Sequence, residues 1–505
     1  MFRFKTMAVA GLVMTAVACG GAGNKPKVLD PTDKSGKKDR RGQEVSKAAA
    51  ASFDAGLDMF VEHEKKSDWS SESCTAVAEQ FIQASKEQKS DTNRQLPEAI
   101  YNAGLAHQRC GNDVKAREYF EQAQQADSSF HRARAQLVLY DFQKSKDIDG
   151  TISRLDQIIR DAKFQNQEAL VSLAALQMER GSDSPDQDGK DDLERAKKNL
   201  QRALAIDDGY MPAFNQLAIY YLEQAKANAA EKGTKRKRRG GLEVAGAKKA
   251  QVNEQQLDLA ALVASQAIRK NPNYAPIHNT AGLIAVELRN FNSAVKSFGT
   301  ARRLDPKFFE AHMNYAAVNL SFRGFDEAEK AYRDALKLSP KEYDAHLGLA
   351  LALRGQINDS NFDAKVAEAE KHLKMAKQIA PDRPETYYNE AILTQEYKAK
   401  GSQDKAIPAL ELAVKQYRDF IAKAGSDPLF AEAVKRSEER SQDIEDTVTF
   451  IREGEAAKKA EEEAMAAAKA QEKAAAEEAA KGKTAPPPAP GGAAPPAAGA
   501  DKAKK

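Results

Sequence analysis

The chain has 505 residues, enough for two to four domains of ordinary size, yet it carries a single Trp, 7% aromatics and 30% charged residues. Its excess of Ala, Glu, Lys and Gln suits long helices and speaks against sheet sandwiches. The net charge of +3 hides a division: segments 1–18, 20–47 and 232–249 carry +2, +4 and +7, which leaves −10 for the remainder, so the body lacks a basic face and no nucleic-acid partner is expected.

Arg3 and Lys5 precede an uncharged apolar run, Met7 to Ala18, of 12 residues, and small residues close it at Ala16-Val17-Ala18-Cys19-Gly20-Gly21. These are the three parts of a secretory signal, and the run is shorter than the about 20 residues of a spanning helix, so no transmembrane helix is expected in the mature chain. The Cys directly after the cut resembles a bacterial lipobox, although Ala16 stands where that motif usually has Leu. The resemblance implies that residues 1–18 are removed and that Cys19 is acylated and anchors the chain in a membrane. With no Asp at position 20, it is similar to lipoproteins sorted to the outer membrane and facing the periplasm. Residues 20–45 show no apolar periodicity, so 19–45 is expected to be a flexible basic tether.

Beyond the tether, residues 46–96 read as a degenerate helix pair, and then a ruler appears: Pro272, Pro306 and Pro340 are spaced by 34 and 34. In that frame residues 275–308 place Ala281-Gly282, Ala294, Phe298 and Ala301 at positions 7, 8, 20, 24 and 27. Residues 309–342 place Tyr315-Ala316, Ala328, Tyr332 and Ala335 there, and residues 97–130 place Ala103-Gly104, Ala116, Phe120 and Ala123. Small residues are needed where two antiparallel helices approach closely, and the aromatic fills the gap between neighbouring pairs. The pattern resembles the tetratricopeptide repeat. It implies an all-α superhelical solenoid over 97–417, about eight stacked helix pairs, with weaker copies after 131, 167, 211, 343 and 384. Inserts interrupt the turns, the longest of them basic and lying at about 228–252. Residues 418–452 are expected to cap the stack, and 453–505 to form an Ala/Glu/Lys helix followed by a Pro/Ala-rich extended tail.

In such a stack the second helix of one pair runs antiparallel to the first helix of the next. Cys74 then begins a second helix and Cys110 ends the following first helix, so the two ends are adjacent, and in an oxidising periplasm a disulfide is expected. His278, His312 and His346 also recur at 34 residues, but equivalent atoms of adjacent repeats lie about 10 Å apart, too far for one ion at about 2 Å bond lengths, so they are assigned to packing and no metal is expected. Gly482-Lys483-Thr484 has Glu477 where a phosphate-binding loop needs Gly, no nucleophile motif stands out, and neither a cofactor nor catalysis is expected.

The first helices of stacked pairs line a groove, and its expected lining is Tyr101, Leu105, Asn279, Leu283, Met313, Ala317, Leu347, Leu351, Tyr388 and Ile392. Apolar with an acidic fringe, it suits a basic or apolar helix or strand of a partner protein. The insert, with Lys235, Arg236, Lys237, Arg238 and Arg239, suits anionic lipid headgroups or wall polymers as well as a solvated loop. Lipobox, tether, repeats and tail together resemble the tetratricopeptide lipoproteins of the gliding motility machinery of myxobacteria, which implies a non-catalytic scaffold assembling envelope components. The alternative is a pilotin-like or assembly-factor lipoprotein serving a type IV pilus secretin, outer-membrane proteins or wall hydrolases.

Overall fold

A computed structural model describes residues 37–66, 68–237, 253–400 and 403–481, and the chain divides into two compact units, Met1–Pro381 and Asp382–Lys505. Among the described residues there is no strand, only one isolated antiparallel bridge between Lys38 and Glu44. None of the described helices is long and apolar enough to cross a membrane.

Among the described residues the first unit stacks eight antiparallel helix pairs. They are α1 (Lys47–Lys66) with α2 (Ser71–Thr92), α3 (Pro97–Arg109) with α4 (Asp113–Ala126), α5 (His131–Ser145) with α6 (Ile148–Asp161), and α7 (Gln167–Arg180) with α8 (Asp192–Ile206). There follow α9 (Met211–Lys237) with α10 (Glu254–Lys270), α11 (Ala275–Glu287) with α12 (Phe291–Leu304), α13 (Phe309–Ser321) with α14 (Phe325–Leu338), and α15 (Tyr343–Gly355) with α16 (Phe362–Ile379). Short polar residues start the second helices: Asn112, Asp147, Asp191, Asn253 and Asn290 each accept a backbone N–H of the first turn, a cap that replaces a missing intrahelical partner.

The repeat positions explain the packing. Ala116, Phe120 and Ala123, like Ala294, Phe298 and Ala301, are fully buried. A Cβ on Gly104 would fall 2.6 Å from Phe120 Cε1, which is why the first helix carries no side chain there. The histidine ladder has a plain structural role. Nε2 of His278, His312 and His346 lies 2.7, 3.0 and 3.0 Å from the carbonyl oxygens of Pro272, Pro306 and Pro340. A carbonyl only accepts, so each Nε2 carries the proton, and each ring ties a first helix to the turn before it.

One feature of this unit departs from the expected boundaries. Residues 37–45, assigned to the tether, fold back on the stack. The Arg40 backbone N–H donates to Glu98 (2.9 Å), its guanidinium reaches Ser129 Oγ (2.8 Å) and Asp127, and Asp39 and Val45 are buried. Five hydrogen bonds of turns and caps over Lys37–Val45 replace apolar content here, which is why periodicity does not reveal the segment. The stack also curls: Lys307, between α12 and α13, donates to the carbonyl of Trp69, between α1 and α2, at 3.4 Å.

The second unit begins with α17 (Pro384–Leu393), passes a π turn (Thr394–Lys398), and continues through α18 (Gln403–Ala424) to α19 (Ala431–Lys481). Ala413, Val414, Tyr417, Ile444 and Val448 form its core with Ala391. The cap and the Ala/Glu/Lys segment, expected as separate elements, are one continuous helix of 51 residues.

Candidate functional site: the inner face of the first unit

First helices of successive pairs pack on one another, which puts them on the inner side of the curl. From α3 to α7 this inner side is filled. Tyr101 and Leu105 are fully buried and belong to the core, not to an open groove surface, which corrects the expectation for both. The curl brings opposite charges together here: Arg132 Nε donates to Glu168 Oε2 at 2.7 Å, and the guanidinium stands 4.9 Å over the Tyr101 ring. Burial works against the Arg132 charge, but the Glu168 carboxylate outweighs it and holds the guanidinium above its ordinary range. Burial likewise pushes the Tyr101 and Tyr210 hydroxyls well up, so both stay neutral. The pair was not singled out from sequence, yet a signal exists, because Glu98, Arg132 and Glu168 occupy position 2 of successive repeats with alternating charge.

From α11 onward the inner face opens. Leu283, Met313, Ala317 and Leu351 are half-buried, with Val286 and Leu320 beside them. Asn279 is buried and accepts from Asn314 Nδ2 at 2.9 Å, an amide step between two repeats. Leu347 is 4% exposed and belongs to the core rather than to the lining. Burial, with Asp305 and Glu342 nearby, raises the Glu310 carboxyl, and its Oε2 is buried with no hydrogen-bond partner among the described residues. That oxygen leaves an open acceptor beside the apolar residues of this stretch.

Tyr388 and Ile392 lie in the second unit and pack on its own aromatic core, with Tyr388 5.1 Å from the Phe420 ring and 6.1 Å from that of Tyr417. They are not shown to share a face with the residues of the first unit. Cys74 and Cys110 are joined by a disulfide, with Cα atoms 6.4 Å apart, between the first turn of α2 and the end of α3. Cys19, Arg238 and Arg239 lie outside the described residues, and Lys235, Arg236 and Lys237 are placed only as the backbone of the last turns of α9. Among the described residues no group of three His, Cys, Asp or Glu could hold a metal ion.

The tetratricopeptide repeat family matches residues 97–130, which are α3, α4 and the turns that bound them. This segment is a tetratricopeptide repeat. Seven further pairs of the first unit stack in the same way, and tetratricopeptide repeats bind protein partners; no catalytic family is indicated. Among curated proteins no sequence matches the chain. Solved structures similar to it include a thermophilic TPR protein of Thermus thermophilus, 23% identical, covering 44% of this chain and 99% of its own with a TM-score of 0.35. Another is pilF of Pseudomonas aeruginosa, 17% identical, covering 51% of this chain and 97% of its own, at 0.34. A tetratricopeptide repeat protein of Parabacteroides merdae is 16% identical and covers 62% of this chain and 99% of its own, at 0.35.

Proposed function

We propose that this tetratricopeptide array is a non-catalytic scaffold of a bacterial envelope, anchored through an acylated Cys19 at the periplasmic face of the outer membrane, where it assembles components of a gliding motility machinery. Capture takes place on the open inner stretch over α11, α13 and α15, and the ligand is an apolar helix or strand carrying a cationic donor. The observation behind this is the combination of half-buried Leu283, Met313, Ala317 and Leu351 with the unpartnered Glu310 oxygen. A donor from a partner would satisfy a buried acceptor that otherwise costs about 1–3 kcal/mol. The anchor and the envelope setting are supported by the segment Ala16 to Gly21.

The test is crosslinking and affinity capture from native envelopes, with Cys19→Ser as the unanchored control. Met313→Glu with Leu351→Glu is expected to reduce capture at least tenfold and to leave the helical circular dichroism spectrum intact, since both residues are partly exposed. Undiminished capture with an intact spectrum would sink the groove assignment. Recovery of motility-complex subunits and outer-membrane barrels supports the gliding scaffold, whereas a secretin or wall hydrolases would move the function to assembly.

A further inference from the structure

One edge of the stack carries a feature that partner capture on the inner face does not use. The turns α11–α12 and α13–α14 occupy equivalent positions in successive repeats, and each ends its first helix in an exposed apolar residue followed by an arginine. The residues are Leu288 (46% exposed) with Arg289, and Phe322 (56% exposed) with Arg323. The Phe322 ring leans on Phe291 at 4.5 Å, so the aromatic surface is continuous across the two turns. Arg289 and Arg323 both adopt the left-handed conformation, at φ 57° and 62°, a region that L side chains enter at a cost. The equivalent turn after α3 uses Gly111, at φ 68°, and Gly meets no such penalty. Two repeats therefore keep a guanidinium where the backbone favours glycine. Neither guanidinium has an ion pair or hydrogen bond among the described residues.

We propose that this edge is a contact surface for an anionic lipid bilayer, with Leu288 and Phe322 entering the interfacial layer and Arg289 and Arg323 binding headgroup phosphates. The surface consists of the tips of two turns with Leu288 and Phe322 exposed at them, which suits a fluid, nearly flat partner better than a side chain needing a socket. Apolar tips flanked by cations are what interfacial binding requires, and the guanidinium fork matches phosphate oxygens. Phe322 also stands against Phe291, three residues from Leu288 in the chain, so the exposed apolar residues are gathered rather than scattered, which is how they become a binding patch. The inference does not depend on acylation of Cys19 and is tested without it.

Residues 20–505, which include every described residue and omit the apolar leader, are mixed with phosphatidylethanolamine vesicles containing one-third phosphatidylglycerol, and with phosphatidylcholine vesicles. Binding is expected only to the anionic set. Arg289→Gly with Arg323→Gly should weaken it roughly thirtyfold, the worth of two headgroup-bound cations, while melting no lower than the parent because both turns are relieved. Since the basic segment 232–239 also attracts anionic vesicles, Phe322→Trp supplies a readout of insertion. Its emission should shift to the blue and be quenched by brominated acyl chains, beyond any change of Trp69 in the parent. Absence of quenching, even with the protein sedimenting on vesicles, would overturn the proposal, as would undiminished binding of the double glycine variant. Capture of an acidic protein through Phe322 without vesicle binding would likewise replace the bilayer with a protein.

Discussion

Glu168 and Arg132 show what a single residue decides inside this stack. Glu168 is buried and the Arg132 side chain is only 11% exposed, and each charge is tolerated because the other neutralises it. Glu168→Gln keeps the volume and removes the compensation, and is expected to destabilise the first unit by about 3–5 kcal/mol in urea unfolding. His346 and His372 form a second buried couple, with Nδ1 atoms 2.9 Å apart. Because His346 spends its Nε2 proton on Pro340, its Nδ1 is the acceptor and His372 the donor. Burial and the neighbouring His346 push His372 down to about 4, with Glu368 opposing and Arg333 and Lys371 assisting the shift. Between about 6.5 and 4 the unfolded chain takes up a proton that folded His372 refuses, so stability falls as pH drops through that window. His372→Asn should flatten the urea midpoint between pH 7 and pH 5. The 34-residue spacing makes His346 legible in the sequence, but its partner sits on α16, after an insertion that shifts the frame, and no spacing points to it.

Among elements, the pair α1 and α2 depends on a covalent tie as much as on its core. Cys74 and Cys110 close a loop of 36 residues, which in the loop-entropy account contributes about 4 kcal/mol. Cys74→Ala with Cys110→Ala, or reduction of the parent, is expected to lower the unfolding free energy by about that amount, and a change under about 1 kcal/mol would show that packing alone holds the pair. The helix pairs from α3 to α16 were legible because their signals are local: a small residue against an aromatic, a proline closing the turn, an Asn or Asp starting the second helix. The segment 37–45 was not. Its hold comes from Arg40 reaching Asp127 and Ser129, almost ninety residues away, and nothing in its own composition announces those partners. Nor does sequence mark where one helix stops and another starts along 431–481, because Ala, Glu and Lys continue a helix equally well whether or not it is packed.

Curvature belongs to the whole first unit, and it divides the inner face into a filled stretch and an open one. Periodicity assigns Tyr101, Leu105 and Met313 to the same side of their helices, and that side is the inner one for all three. Contacts from the next repeat decide the outcome: Tyr101 lies beneath the Arg132 guanidinium and is fully buried, as is Leu105, while Met313 stays half exposed, and such contacts are not written in one 34-residue window. The same curl supplies a test. Trp69, the single Trp, lies in the first pair, where its ring packs 5.0 Å from that of Phe60. Were the first pair free to fray, as the end of an open stack does, Trp69 emission would change at lower urea than the main circular dichroism transition. Coincident midpoints are expected, since the Trp69 carbonyl is held by Lys307.

That one hydrogen bond also bears on the order in which the chain folds. It joins residues 238 apart, and closing so long a loop costs about 2 kcal/mol more entropy than joining neighbours one repeat apart. Nearest-neighbour stacking can start anywhere along the first unit and spread quickly, but the closure must wait until all the intervening pairs are in place. Refolding should then show a rapid gain of helix followed by a slower locking step visible at Trp69, as the Lys307 contact closes last.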